Sequence, residues 1–167
     1  MTERQKLIWL VPILASIHNL EEAMSIPAFL QGADSAFPKF ITEAFSTLTR
    51  SQLLSALLIV TVIPYILAFL AWSEPVPRWG FYLLCGFQAA MLINVFAHIA
   101  MAVAVRGYAP GVVTAMLINL PFSVYLFYKA SVEHWLNRNK LMLVGAIGIL
   151  LHLVGLPALL ILAGGVS

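Results

Sequence analysis

A short stretch near the start of the chain, HNLEE, places His18, Glu21 and Glu22 inside a segment that is otherwise apolar. At about 100° per residue, Glu21 lies about 60° to one side of His18 and Glu22 about 40° to the other. All three side chains can therefore face the same part of a helix bundle. Imidazole and carboxylate groups bind zinc, iron and manganese, and they also serve as general acids and bases. The stretch predicts either a metal site or a proton-transfer site.

Further polar residues lie in apolar segments later in the chain. Asn94 and His98 share one helical face in NVFAH, His152 lies in LLHLVG, and Asn119 lies in INLPF. An ionisable group near the centre of a bilayer costs about 2.5 to 3.5 kcal/mol, so such groups are seldom incidental. Counted along their helices at about 1.5 Å per residue, these residues and His18 are predicted to lie within about 10 Å of one level near the bilayer centre. Polar groups from four helices are therefore expected to converge.

Three interpretations of this polar cluster are open. In the first, a divalent metal ion, zinc or iron, is held by four residues: His18, Glu22, His98 and His152. Glu21 and Asn94 are then the predicted catalytic residues, with Glu21 as general acid or base. In the second, the same residues form a metal-free acid/base or proton-relay site, because adjacent carboxylates in a low dielectric do not easily both ionise. In the third, the cluster is a structural network that fixes the register of the helices.

The composition is that of an integral membrane protein. Of the 167 residues, 62% are hydrophobic and 10% are charged, whereas soluble domains carry roughly 25% charged residues. A formal net charge of +2 without a long basic run gives no electrostatic surface for nucleic acid. The expected partners are the lipid bilayer and a small molecule from the lipid phase. Cys85 has no second cysteine with which to form a disulfide or a thiolate metal site.

Five apolar segments are long enough to cross about 30 Å of hydrocarbon as helices. They cover about residues 7 to 29, 51 to 72, 80 to 105, 110 to 130 and 140 to 163. Residues from about 36 to 49 instead place apolar and polar side chains on opposite helical faces, which predicts an amphipathic helix at the membrane interface. That helix either covers the end of the bundle or forms a lid beside a lateral entry. The predicted fold class is all-α: a polytopic membrane protein, one transmembrane domain over residues 1 to 167, with a five-transmembrane-helix bundle and one interfacial helix.

Basic residues near the segment ends predict the orientation in the membrane. With the N-terminus in the cytoplasm, the inner side carries Arg4, Lys6, Arg78, Lys129, Arg138 and Lys140, and the outer side carries Lys39, Arg50 and Arg106. Because positive charge is enriched on the cytoplasmic side, we expect the N-terminus to be cytoplasmic and the C-terminus to be outside.

The fifth apolar segment contains three glycines, Gly145, Gly148 and Gly155. Small residues allow helix backbones to approach closely in membranes. The helix that packs against this face belongs either to the same chain or to a second copy, so a homo-oligomer is one of the alternatives.

Three blocks of the sequence resemble the small bacterial integral membrane proteins named for their HXXEE motif. These blocks are HNLEE in the first segment, NVFAH in the third and YAPGVVT at the hairpin that follows. The resemblance covers most of the chain and extends the candidate site to Tyr108, Pro110, Gly111 and Thr114. It implies the bacterial inner membrane as the location, but it implies no particular reaction. Pro110 and Gly111 also suit a tight turn before the fourth helix.

The residues favour a membrane-embedded metal-dependent enzyme that acts on a hydrophobic or amphiphilic substrate. Hydrolysis or hydration needs one Lewis-acidic metal. Oxidation would need iron or a second metal, and two glutamates are fewer carboxylates than helical di-iron sites contain. A hydrolase- or hydratase-like reaction is therefore predicted over an oxidase. The alternative is a binding or transport protein that captures a proton, a cation or a small solute at the same cluster. A third alternative is an accessory subunit whose polar layer specifies assembly.

Overall fold

The computed structural model describes residues 1–32, 49–73 and 75–164. Within these ranges all regular secondary structure is helical, which confirms the all-α class. The predicted interfacial helix, about residues 36 to 49, lies outside the described residues except for its last position.

Five helices follow one another along the described chain. The first three are α1 (Glu3–Gly32), α2 (Arg50–Ser73) and α3 (Trp79–Ala104). The fourth helix, α4, comprises Val112–Thr114, the π-helical segment Ala115–Asn119 and Leu120–Val132. The fifth helix, α5, comprises Arg138–Leu150, the π-helical segment Leu151–Gly155 and Leu156–Gly164. Each helix overlaps one of the predicted apolar segments.

Among the described residues, four helices are long and apolar enough to cross a membrane. They are Arg50–Ser73, Trp79–Ala104, Val112–Val132 and Arg138–Leu162. The remaining helix, α1, has 30 residues and a length of about 45 Å, but its apolar run is interrupted by His18, Asn19 and the two glutamates of HNLEE. The chain therefore has helices of membrane-spanning length and composition, and a fifth span depends on α1.

Capping boxes begin the first two helices. The Thr2 amide donates to Gln5 Oε1 at 2.9 Å, and the Gln5 amide donates to Thr2 Oγ1 at 3.2 Å. Thr49 and Gln52 form the same pair at 2.7 and 3.3 Å. Each box satisfies two backbone N–H groups that have no partner inside the helix. The short sequences TERQ and TRSQ thus determine where α1 and α2 begin.

The central helix of the bundle is α3, which packs against the other four helices. Its buried side chains include Phe81 and Leu84, which join Ile8 of α1, Leu126 of α4 and Val144 of α5 in the apolar core. In the most apolar stretch of α3, 50% of the residues are buried inside the bundle, whereas in the most apolar stretch of α5 the buried share is 11%. Consequently α5 exposes most of its apolar surface to the surroundings of the bundle.

Two hydrogen bonds show which helix ends lie together. Arg4 Nη2 donates to the carbonyl oxygen of Pro75 at 3.2 Å, and the Tyr125 hydroxyl donates to Glu3 Oε1 at 3.1 Å. The start of α1, the α2–α3 connection and the second half of α4 therefore share one end of the bundle. The apolar core lies towards that end, and the HNLEE stretch lies towards the other.

Gly148 allows α3 and α5 to pack closely. A Cβ on Gly148 would lie 2.6 Å from Ala89 Cβ and 2.9 Å from the backbone nitrogen of Ala90. A Cβ on Gly145 would have no atom within 4 Å. Gly148 therefore serves packing within the chain, and Gly145 lies on an open part of the helix.

The variant Gly148→Ala is expected to lower the free energy of unfolding by about 1 to 3 kcal/mol, because the methyl group can be accommodated only if α3 and α5 separate. Thermal unfolding in detergent micelles measures this change. Gly145→Ala is the matched control on the same helix and should unfold at the wild-type temperature or slightly above it, because alanine has the higher helix propensity. Equal unfolding temperatures of the two variants would contradict the close α3–α5 contact.

Candidate functional site

Three potential metal ligands lie together where α1, α3 and the start of α4 meet. His18 and Glu22 are one turn apart on α1, and His98 lies near the end of α3. One ligand atom from each residue lies within 4.8 Å of the others, and Glu22 Oε1 is 3.3 Å from His98 Nε2. Both histidines are buried, whereas 16% of the Glu22 side chain is exposed. The bundle thus shields this metal-ligand group but leaves it reachable at Glu22.

Asn94 links the two imidazole rings. Its Nδ2 lies 2.8 Å from His98 Nε2 and 3.2 Å from His18 Nε2. The rings meet edge to face, with centroids 4.9 Å apart and an interplanar angle of 78°. Both Nε2 atoms therefore border the same small region, and Glu22 Oε1 approaches it from α1. The prediction that Asn94 and His98 share one helical face is confirmed by the 2.8 Å contact between them.

His98 Nδ1, the other nitrogen of that ring, is buried. The backbone of Pro110 interacts with the ring, but Nδ1 forms no hydrogen bond of normal geometry. Its Nε2 atom, by contrast, contacts both Asn94 and Glu22. The chemistry of His98 is therefore directed through Nε2.

Glu21 faces the start of α4, on the other side of the HNLEE turn. Its Oε1 accepts the Tyr108 hydroxyl at 2.8 Å and the Val113 amide at 3.3 Å. Its Oε2 accepts the amide and the hydroxyl of Thr114 at 2.8 and 2.5 Å. The carboxylate thus satisfies free N–H groups of the first turn of α4 and lies at the positive end of the helix dipole. These hydrogen bonds occupy the oxygens that the predicted general acid/base role of Glu21 would need.

Tyr108 lies in the connection between α3 and α4. Burial of its hydroxyl, together with the neighbouring Glu21 carboxylate, raises the pKa of Tyr108 above its ordinary value. The hydroxyl therefore stays protonated at neutral pH, and it donates to Glu21 throughout the physiological range.

Gly111 lies directly against the metal-ligand group. The amide of Val112 donates to the carbonyl oxygen of Ala109 at 3.1 Å, and Gly111 has φ +77° and ψ −8°, as at the third position of a type II turn. The predicted tight turn before the fourth helix is therefore confirmed. A Cβ at this position would lie 2.8 Å from His18 Cε1 and 2.9 Å from His98 Cε1. Glycine thus meets two requirements here, the positive φ and the close approach of the backbone to the site.

His152 and Asn119 lie outside the metal-ligand group. His152 is half-buried in the π-helical segment of α5, and it interacts electrostatically with His98 but is not among the residues whose ligand atoms lie within 4.8 Å. The structure therefore brings together three of the four predicted metal ligands. Asn119 is buried in the π-helical segment of α4, and its carbonyl oxygen accepts the Ser123 hydroxyl at 2.6 Å.

A second polar network surrounds Asn119. Gln88 Nε2 donates to Ser123 Oγ at 2.8 Å, and both side chains are buried. The side-chain nitrogen of Asn119, Nδ2, is buried without a hydrogen-bond partner. Sequence reasoning did not single out Gln88, although a glutamine within an apolar segment is a signal that could have identified it.

The sequence also has relatives among known proteins. Residues 9–126 match the model of the family described as a protein of unknown function with HXXEE motif. The uncharacterized protein YrkK of Bacillus subtilis (strain 168) is 27% identical over 129 residues, which are 77% of each chain. No solved structure gives a significant match. The range matched by the family model includes HNLEE, Asn94, His98, Gly111 and Thr114, and the chain belongs to this HXXEE-motif family.

Proposed function

We propose that this protein is an integral membrane metalloenzyme in which His18, Glu22 and His98 hold a divalent metal ion, zinc or iron. The observation that carries the proposal is the convergence of one ligand atom from each residue within 4.8 Å. Two imidazole nitrogens and a carboxylate oxygen are a donor set that suits zinc and iron. Gly111 supports the fit, because a side chain at that position would press on His18, Glu22 and His98 together.

Each neighbouring residue has a role in this proposal. A bound divalent ion supplies Lewis acidity towards a carbonyl group or a water molecule. Asn94 Nδ2 contacts the Nε2 atoms of both histidines and positions the two rings in the absence of a metal ion; a metal ion bound at these nitrogens would replace those hydrogen bonds. Glu22, the least buried member of the group, is the residue that a reacting molecule meets first. Glu21 anchors α1 to the start of α4 and so maintains the relative position of the helices that carry the ligands.

The proposed location is the bacterial cytoplasmic membrane, with α1 as a fifth span. Supporting this, α1 packs against α2, α3 and α4 along the bundle. The end that holds Arg4 and the α2–α3 connection also carries the larger number of basic residues in the sequence. Because basic residues are enriched on the cytoplasmic side, we place the N-terminus in the cytoplasm and the C-terminus outside.

The proposed substrate is a hydrophobic or amphiphilic molecule that reaches Glu22 from the lipid phase, and the proposed reaction is hydrolysis or hydration. In support, α1 exposes large apolar side chains within HNLEE and directly after it, with Leu20 59% and Met24 75% exposed. An apolar surface of this kind is in contact with lipid when the helix lies in a bilayer. The helix that carries Glu22 is therefore expected to lie next to the lipid phase from which the substrate comes.

Proton- or cation-linked binding or transport is the second candidate. The contact of 3.3 Å between Glu22 Oε1 and His98 Nε2 favours it, because these two atoms could share a proton without a metal ion. The enzyme is preferred because buried apolar side chains, such as Val11 and Phe81, lie between the site and the opposite end of the bundle. The buried polar side chains Gln88, Asn119 and Ser123 interrupt this apolar region without an ionisable group.

Comparative lipid analysis tests the proposed reaction. The wild type and Glu22→Gln are produced at equal levels in one bacterial host, and total lipid extracts are compared by mass spectrometry. We expect the products of the reaction only in extracts from cells with the wild type. These products are either a host lipid with one water molecule added or the fragments of a hydrolysed host lipid. Glu133→Gln is the control and should behave like the wild type. Glu133 is exposed and lies at the end of α4 that is distant from the site. Identical lipid profiles, together with a Glu22-dependent proton or cation flux in proteoliposomes, would contradict the proposed enzyme and support the transport function.

A further inference from the structure

The start of α4 surrounds the Glu21 carboxyl group with hydrogen-bond donors. The backbone N–H groups of Val113 and Thr114 can only donate, and they lie 3.3 and 2.8 Å from its two oxygens. The Tyr108 hydroxyl is a third donor, at 2.8 Å. These three donors address both oxygens of the carboxyl group at the positive end of the helix, so the group is placed to accept hydrogen bonds. Glu21 therefore accepts every hydrogen bond that it forms here.

Thr114 must in consequence donate to Glu21. A threonine hydroxyl has one proton and two lone pairs, and the distance from Thr114 Oγ1 to Glu21 Oε2 is 2.5 Å. The carbonyl oxygen of Gly111, at 3.4 Å, is a more distant acceptor for the same proton. Thr114 Oγ1 also lies 2.8 Å from His18 Nδ1. Because its proton is directed to Glu21, the threonine oxygen accepts at this contact, and Nδ1 of His18 must carry the hydrogen.

We propose that Glu21 and Thr114 are positioning residues that hold His18 in the tautomer protonated at Nδ1. A neutral imidazole carries one N–H, so the lone pair of Nε2 then faces the region shared with Glu22 and His98. Asn94 Nδ2, 3.2 Å from His18 Nε2, is placed to donate to this lone pair. Metal-binding histidines generally hydrogen-bond through the nitrogen that does not bind the metal. The inference rests on the proposed function only in naming a metal ion as the group that Nε2 binds.

Nitrogen-15 NMR of the imidazole rings tests the tautomer without any metal ion. The full chain carries His134→Asn and His152→Gln, which replace histidines outside the metal-ligand group, and it is treated with a chelator. Two histidines, His18 and His98, then remain to be observed. We expect both to be protonated at Nδ1, because Asn94 Nδ2 also lies 2.8 Å from His98 Nε2. Protonation of His18 at Nε2 would overturn the inference, and this result needs no further variant.

The role of Thr114 is tested in the same background. Thr114→Val is expected to change the nitrogen signals of one histidine, His18, and Thr114→Ser is expected to restore the wild-type signals because it keeps the hydroxyl. A structural role of the threonine alone would not move the proton between ring nitrogens. Unchanged signals in folded Thr114→Val would overturn the inference.

Zinc affinity, measured by competition with a chelating dye, separates the inference from the proposed function. Thr114→Val should bind zinc about 10- to 100-fold more weakly than the wild type, and Thr114→Ser should bind nearly as well. A wild type that binds no zinc but shows the Nδ1 tautomer overturns the proposed function and leaves the inference. A wild type and Thr114→Val that bind zinc equally well overturn the inference and leave the proposed function.

Discussion

Glu21→Gln is expected to lower the free energy of unfolding by about 2 to 3 kcal/mol. The glutamine side chain has nearly the same size, but its amide group presents N–H groups to the donors of the first turn of α4. At least one of the amides of Val113 and Thr114 then loses its acceptor, and the negative charge at the start of the helix is lost. Thermal unfolding in detergent micelles measures the effect as a lowered midpoint.

Two further variants calibrate this result. Tyr108→Phe removes one hydrogen bond to Glu21 and should cost about 1 kcal/mol. Glu133→Gln removes an exposed ion pair with Lys129, 2.9 Å long, and should leave the unfolding temperature close to that of the wild type, because water screens such a pair. If Glu21→Gln unfolded at the same temperature as Glu133→Gln, the assignment of Glu21 as the cap of α4 would be wrong.

Glu22→Gln and His98→Ala are each expected to weaken zinc binding about 100-fold or more, which corresponds to about 2.7 kcal/mol or more. Each change removes one of the three ligand atoms that lie within 4.8 Å, and a metal ion held by two protein ligands loses both affinity and defined geometry. Competition with a chelating dye at constant pH gives the two affinities beside that of the wild type.

His152→Gln and His134→Asn are the matched controls for the histidine variant. His134 is exposed in the α4–α5 connection, and His152 lies outside the metal-ligand group. Both control variants should bind zinc within a few-fold of the wild type. A loss of affinity in His152→Gln as large as that in His98→Ala would contradict the three-residue site and restore the four-ligand set predicted from the sequence.

Helical periodicity accounts for the parts of the site that could be predicted. His18 with Glu22, and Asn94 with His98, are pairs one turn apart, and such pairs share a face in any regular α-helix. The five apolar segments correspond to the five described helices because each segment depends only on local composition and length. The two capping boxes, Thr2 with Gln5 and Thr49 with Gln52, could also have been identified from the sequence.

The arrangement of α4 and α5 around the site could not be predicted in this way. Counting residues estimates depth along a helix, but it leaves open which way a side chain points once the helix departs from regular geometry. Asn119 and His152 both lie in π-helical segments, where the wider turn shifts the direction of every later side chain. Depth predicted both residues at the site, whereas in the structure Asn119 lies beside Ser123 and His152 lies outside the metal-ligand group.

The role of Glu21 depended on a contact between residues far apart in the chain. The sequence shows an acid next to Glu22, and this favours a shared chemical role. Only the position of Thr114 in the first turn of α4 shows that the carboxylate has backbone donors available to it. The resemblance in YAPGVVT pointed to Tyr108 and Thr114, but their hydrogen bonds to Glu21 required the packed helices.

The most direct measurement is elemental analysis of the wild-type protein beside Glu22→Gln, both purified in mild detergent without chelators. A three-ligand site formed by His18, Glu22 and His98 predicts about one zinc or iron ion per chain in the wild type and a much smaller amount in the variant, because bound metal depends on every ligand. A wild type that contains no more zinc or iron than Glu22→Gln would contradict the proposed metal site.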